Sequence, residues 1–389
     1  MQVVIVHPRL AGGGSEARAL ALIELLQEEH QVTLLTGASF ECERLNAAYH
    51  TAVDPSRIAV ELAPMPQWLR HFRAGDALRG AFVDRHVRRL ASRFDLCVST
   101  YNFSAFGRKA IQFIADFSWD EDYRQATDPP PPGLRGLIQH RSPARAAYLG
   151  LCHAIAGGKL DPRAHEQDVV VANSRWTADL LRSRYGVASR VIYPPVFSPS
   201  FDSTAPRSSD FVMLGRIAPG KRVLEAIEVL ARVRARGHDF AFHIVGAVDD
   251  PAYGARVRSL AARQGGWVRL AGGVYGEEKF RLLELHGFAL HMRAREAFGI
   301  AVAEQVKMGL IPFVPADTAP AEIVDDQRLT FRDRDHAVEV IDRLLRRPQE
   351  HQAIRSGLAA RGGMISKERF IGTVTELLRE TTSGKWKCP

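Results

Sequence analysis

"MQVVIVHPRLAGGGSEARALALIELLQEEHQVTLLTG", residues 1–37, decides the fold. QVVIVHP is a short β-branched run that ends in a turn. GGGSEARALALIELLQEEH then sets Ala19, Leu22, Ile23 and Leu26 at helical spacing. QVTLLTG is a second buried-strand run. Strand, loop, helix, strand is the opening of a doubly wound parallel sheet, because parallel neighbours need a crossover and a helix supplies it.

Further along, DLCVSTY (95–101), IQFIAD (111–116) and DVVVANS (168–174) read as strands. RWTADLLRSRYG is a helix stopping at Gly186, and SRVIYPPV one more strand with a turn. DPPPPG (128–133) must be an irregular loop. Residues 194–210, PPVFSPSFDSTAPRSSD, have linker composition. The pattern then restarts with the strand FVMLGRI and alternates strand and helix through FALHMRA and IPFVPA. The expected organisation is an N-terminal domain over 1–193, a linker over 194–210 and a C-terminal domain over 211–365. A last helix near 366–389 is expected to pack back on the first domain. Two parallel α/β halves can present their strand ends to one interdomain cleft.

The chain has 389 residues, beyond the usual size of one core. Its 46% apolar and 25% charged residues are ordinary for a globular protein. The net charge of +8 favours a phosphate-bearing ligand, an anionic membrane or nucleic acid without choosing among them. No nucleic-acid-reading motif accompanies it, so no nucleic-acid partner is expected. Cys42, Cys97, Cys152 and Cys388 are not at metal-site or CxxC spacing, which fits unpaired thiols in a reducing cytoplasm. The first residues lack a signal peptide's basic start and long apolar run, and no window of about 18 residues is continuously apolar. His7, His153, His243 and His291 are not at metal spacing either, so structural roles and no bound metal are expected.

Two motifs carry chemistry. LGRIAPGKR (214–222) places Arg216 and Lys221 across a Pro-Gly turn between strand and helix. Two cations there suit a diphosphate, though solvated loop charge is the plainer reading. REAFGIAVAEQVKMG (295–309) sets Glu296 and Glu304 at the two ends of an uncharged helix start. The helix is expected over Gly299–Met308, and its free amides near Gly299 and Ile300 suit a phosphate. Eight residues rise about 12 Å and return Glu304 to within about 80° of the same face. Sugar hydroxyls at one carboxylate and ribose hydroxyls at the other would match a nucleotide sugar; two surface glutamates would also explain the spacing. GGGSE (12–16) lacks G-x-G-x-x-G, and no acidic residue ends VTLLTG, which argues against a nicotinamide enzyme.

REAFGIAVAEQ resembles the glutamate-seven-glutamate motif of the retaining glycosyltransferases of family 4, which have the GT-B fold. GRIAPGKR resembles that family's diphosphate clamp. VVVANSRWTADLLRSRYG with VIYPPV, AGGVYGEEKFRLL and LAGGGSEARALALIELL resemble its other landmarks in family order. The resemblance implies two Rossmann-like domains and transfer of a sugar from a UDP- or GDP-sugar to a hydroxyl of a glycan, lipid-linked or small-molecule acceptor. By it, Glu296 bonds the donor sugar, Glu304 the ribose, and Arg216 and Lys221 the diphosphate. Phe298, Gly299 and Ile300 complete the pocket, Val274 lies beside the base, and Gly13 and Gly14 let the first loop approach the donor phosphate or acceptor. No metal or cofactor is implied. Two positions depart from the pattern. Thr318-Ala319 stand where many relatives have Gly-Gly. Asp116 stands where many have histidine; it either orients the acceptor hydroxyl or the sugar, or caps the next segment. A sugar-nucleotide epimerase or hydrolase on the same fold, and a non-catalytic anionic-surface protein, are the rival readings.

QWLRHFRAGDALRGAFVDRHVRRLASRF (67–94) carries seven arginines among interleaved apolar residues. It is either a solvated helix or a helix lying on an anionic membrane surface. A cytoplasmic enzyme, peripheral at the inner membrane face in the second case, is the expectation.

Overall fold

The computed structural model describes residues 1–10, 13–72, 75–127, 142–199 and 207–382. The DPPPPG loop, the KWKCP tail and the middle of the linker lie outside the described residues. Described residues up to Ala126 and from Ser142 to Pro195, together with the segment from Ser366, form one compact unit; Val196–Ile365, with Thr127, form a second.

The first unit is built on a parallel sheet of seven strands among the described residues: β1 Gln2–Val6, β2 Gln31–Thr36, β3 Ile58–Leu62, β4 Leu96–Ser99, β5 Ile111–Ile114, β6 Val169–Ala172 and β7 Arg190–Val191. Their order is β3-β2-β1-β4-β5-β6-β7. β1 is central and pairs β2 and β4 in parallel, from Val3 opposite Val32 and Leu96 onward. Val3, Val4, Ile5 and Val6 are all buried, the mark of a strand covered on both faces. The helix Gly14–Leu26 buries more than one stripe, since Ala19, Leu20, Ala21, Leu22 and Ile23 are all inaccessible. The reason is the C-terminal helix Lys367–Thr382, which belongs to this unit and adds Phe370, Val374 and Leu377 to the same core. Lys367 seals the contact on Glu24 at 2.7 Å.

The second unit repeats the scheme with six strands: β8 Ser208–Leu214, β9 Phe242–Val245, β10 Val268–Gly272, β11 His286–Leu290, β12 Ile311–Pro315 and β13 Thr330–Phe331. Their order, β10-β9-β8-β11-β12-β13, is the dinucleotide-fold order. In each sheet the order reverses between the first strand and the fourth, so loops leaving β1 and β4, and β8 and β11, diverge and open a crevice.

Some sequence expectations change. β3 was not anticipated: it is an edge strand whose Val60 and Leu62 stay exposed, so its pattern does not look buried. SRVIYPPV supplies a two-residue strand, because the prolines after Tyr193 cannot join a ladder. β8 starts at Ser208, inside the expected linker. Residues 67–94 are not one helix: Gln67–His71 and Asp76–Leu90 are separate. Arg79 is not on the solvated face. Its guanidinium is buried and donates to the carbonyls of Leu69 and Phe72 at 2.9 and 2.8 Å and to Asp76, tying the short helix to the long one.

Candidate functional site

In the second unit, β8 runs into Gly215-Arg216, and a parallel bridge between Ile217 and Val248 prolongs the pairing with β9. The two backbones touch here. A Cβ on Gly246 would meet the Gly215 carbonyl oxygen at 1.9 Å, so only glycine fits. The short turn Pro219–Lys221 follows and aims the Lys221 side chain across the switch point. Its Nζ donates to Glu296 Oε2 at 2.9 Å. Glu296 comes from the loop after β11, the neighbour of β8, so two stretches 75 residues apart meet because the strand order makes their strands adjacent.

Glu296 is mostly shielded, with 16% of its side chain exposed. Burial opposes its ionisation, but the charges of Lys221 and Arg293 outweigh that and hold its carboxyl well below the usual range. Arg293 Nε is 3.7 Å from the same oxygen. His291, 3.7 Å away, is pushed down to about 3 by burial and is neutral near pH 7. The Glu296 carbonyl accepts from the Ala319 amide at 3.1 Å, so the Thr318-Ala319 turn braces the site. Thr318 itself is buried and donates to the Pro315 carbonyl.

A depressed carboxyl has a definite linkage sign. The unfolded chain binds the proton first, near pH 4.5, so the stability Glu296 adds is full above that pH and is lost progressively as pH falls from there toward the lower folded value. Wild type should therefore lose stability relative to Glu296→Gln below about pH 4.5 and keep a constant difference between pH 6 and 8. Parallel thermal melts over that range check it; a difference that changes most near pH 7 would contradict the assignment.

The helix after Glu296 runs Ile300–Lys307, with Gly299 as its N-cap at φ 86°. That left-handed conformation suits glycine, and a Cβ there would also lie 2.8 Å from Pro320 Cγ. The amide of Ala303 is bonded to the Gly299 carbonyl, so the Ile300 and Ala301 amides precede the first full helical turn. Phe298, just before this helix, is buried. Glu304 sits in the second turn and pairs with Lys279 at 2.6 Å. Burial raises its pKa, and Lys279 opposes that. Val274, half-buried, packs beside Phe280 and Leu283 at the end of β10, and Tyr275 next to it is 71% exposed.

Lys221, Glu296, Gly299 and Ile300 are thus brought together. Arg216 is not with them: it is 68% exposed and paired with Asp249 at 2.8 Å.

The first unit gathers a polar cluster at its own switch point. Gly13 caps the helix that begins at Gly14, and Glu16 stands so close that a Cβ on Gly13 would come 2.9 Å from its carboxylate. Arg18 is buried, donates to the Thr100 carbonyl at 2.7 Å and lies over the Phe113 ring. Burial lowers its pKa to about 9, against the pull of Asp116 and Glu16. Asn102 accepts the amides of Ala115 and Asp116, which fixes its amide so that Nδ2 donates to Asp116 Oδ1 at 3.0 Å. Tyr101 and the Ser118 amide also donate to that carboxylate. Asp116 is therefore a held acceptor as well as the local cap. His7, just after β1, is kept neutral near pH 7: burial pushes it down to about 4.

Sequence reasoning missed Lys279, Arg293, Arg18 and the Tyr101-Asn102 pair. Their charge or polarity was visible, but only the strand order shows that each faces a candidate site carboxylate.

Residues 201–358 match the family model described as "Glycosyl transferases group 1". Its two α/β units have the GT-B architecture. Solved structures agree on the fold. Anabaena Alr3699/HepE, crystallised with UDP and glucose, is 16% identical, with 98% of this chain and 100% of that one covered and a TM-score of 0.64. WaaG, a glycosyltransferase involved in lipopolysaccharide biosynthesis, is 14% identical over 97% and 99% of the chains, with a TM-score of 0.68. Sucrose-phosphate synthase from Thermosynechococcus elongatus is 14% identical over 98% and 99%, with a TM-score of 0.69. A search of curated protein sequences finds no match.

Proposed function

We propose that this protein is a glycosyltransferase that moves a sugar from a UDP- or GDP-sugar to a hydroxyl of a glycan, lipid-linked or small-molecule acceptor, with retention of anomeric configuration. The observation that carries the reading is the Lys221–Glu296 pair set before the helix that bears Glu304. Glu296, held charged, accepts hydrogen bonds from the donor sugar. Lys221 and the Ile300 and Ala301 amides face the diphosphate, and Glu304 accepts the ribose hydroxyls. Arg216 joins the diphosphate by leaving Asp249, a cheap exchange for an exposed pair. In the transfer, the acceptor oxygen bonds to the anomeric carbon and the bond from that carbon to the phosphate oxygen breaks. The leaving oxygen takes the acceptor proton on the same face. The protein's part is to stabilise growing phosphate charge, for which no metal is needed. Asp116 orients the acceptor hydroxyl from the first unit.

HepE was crystallised with UDP-glucose, which supports a uridine donor as the first to try. Thermal-shift screening of UDP- and GDP-sugars tests the reading, since a bound donor raises the melting temperature according to its affinity. Proton NMR of the product with an acceptor then reads the anomeric outcome. Stabilisation by neither nucleotide class would overturn the proposal, and an inverted product would overturn the retaining part. Conversion of the donor without acceptor would mark an epimerase or hydrolase instead.

No described helix is long and apolar enough to cross a membrane. A cytoplasmic enzyme peripheral at the inner membrane face is part of the same proposal. It is supported by the exposed, edge-on pair Trp68 and Phe72 and by the exposed Arg85, Arg88 and Arg89 of the following helix.

A further inference from the structure

Glu304 has a partner of its own that the donor reading leaves unexplained. Lys279, on the helix Gly276–Glu284, reaches its Oε1 at 2.6 Å, and both side chains are largely covered, at 19% and 15% exposure. The ammonium is itself pinned: it lies 4.5 Å above the ring of Phe280, which is buried and packs edge-on against Phe197. Other cations near this helix are engaged elsewhere. Lys307 donates to the Val196 carbonyl, Arg207 to the carbonyls of Leu283, His286 and Met308, and Arg361 to Asp325 and the carbonyls of Glu322 and Ile323.

A covered carboxylate without a cation tends to take up a proton, and a protonated carboxyl has lost acceptor capacity. Lys279 opposes that, and by holding Oε1 it fixes the rotation of the group and leaves Oε2 for incoming donors. We propose that Lys279 is a positioning residue of the donor site: it holds the Glu304 carboxylate as an oriented acceptor for the ribose hydroxyls of a nucleoside diphosphate. The inference rests on the reading above that Glu304 meets the ribose. It adds that recognition of ribose depends on a residue which never touches the nucleotide.

The test compares UDP and GDP with their 2′,3′-dideoxy analogues by calorimetry on the full chain. Wild type should bind the preferred ribonucleotide at least about tenfold more tightly than its dideoxy form, since charge-assisted hydrogen bonds are lost with the hydroxyls. Lys279→Met should weaken the ribonucleotide by about tenfold or more and leave the dideoxy form within about twofold. Lys279→Arg, which keeps a cation, should regain most of the difference. Lys279→Gln reads the same comparison if the methionine variant does not fold. A merely structural role would weaken both nucleotides alike, and that result overturns the proposal, as does wild-type ribonucleotide affinity in Lys279→Met. Failure of the underlying donor reading looks different: wild type binds neither UDP nor GDP, or Glu304→Gln binds the ribonucleotide as tightly as wild type.

Discussion

Replacing Lys221 by alanine should lower sugar transfer about 10²–10³-fold, the loss seen when one preorganised charge-stabilising group is removed from an active site. The side chain is in place before any donor arrives, fixed by its 2.9 Å hydrogen bond to Glu296. It therefore needs little reorganisation when the diphosphate leaves. The fold should survive, because Lys221 sits in a three-residue turn with no buried apolar role. Glu296 also keeps Arg293 and His291 nearby after the substitution, so it is not left without a neighbouring donor. Steady-state rates and a melting curve on the same preparation separate the effects. An unchanged turnover number would remove Lys221 from the mechanism; a collapsed melting transition would make it a structural residue.

Arg79→Met should destabilise the first unit by about 2–4 kcal/mol. Methionine can fill the volume of the stem, but the carbonyls of Leu69 and Phe72 then lose a donor that holds both at once. The Leu69 carbonyl loses its guanidinium donor at a cost of about 1–3 kcal/mol, while the Phe72 carbonyl keeps the Gly75 amide at 3.3 Å; the loss is partly offset because methionine brings no charge that must be desolvated. The stem also lies on the backbone at Gly37, where a Cβ would come 2.7 Å from Arg79 Cγ, so a bulkier replacement has no room. For a unit of this size the melting transition should fall by roughly 5–15 °C. Calorimetry checks it, and a shift under about 2 °C would show that the guanidinium contributes little there.

Arg79 also marks a limit of sequence reading. Among seven arginines in a 28-residue stretch it looks like the rest, yet it is buried while Arg85, Arg88 and Arg89 are exposed. Nothing in helical spacing separates them, because the carbonyls that claim Arg79 belong to Leu69 and Phe72, in and just after the preceding helix Gln67–His71. Lys279 is a similar case. From Glu277 to Arg281 the sequence reads as ordinary helix-surface charge. Its meaning comes from Glu304, 25 residues away, and from β11 lying between the two helices in the chain. Arg216 shows the converse: spacing pairs it with Lys221, but the strand-to-helix turn sends the two side chains to different partners, Asp249 and Glu296.

The alternation of buried strands and crossover helices, and the uncharged helix start between Glu296 and Glu304, were determined by the sequence alone. They depend on local periodicity and on the residue types that end helices and strands, which neighbours along the chain settle. Strand order, and with it the meeting of Lys221 with Glu296, of Lys279 with Glu304 and of Asn102 with Asp116, was decided only by the tertiary structure. Those pairs join residues 14 to 75 positions apart. Their energies are those of charges and hydrogen bonds taken out of water, and such terms arise only once the sheet of the unit that holds each pair has assembled.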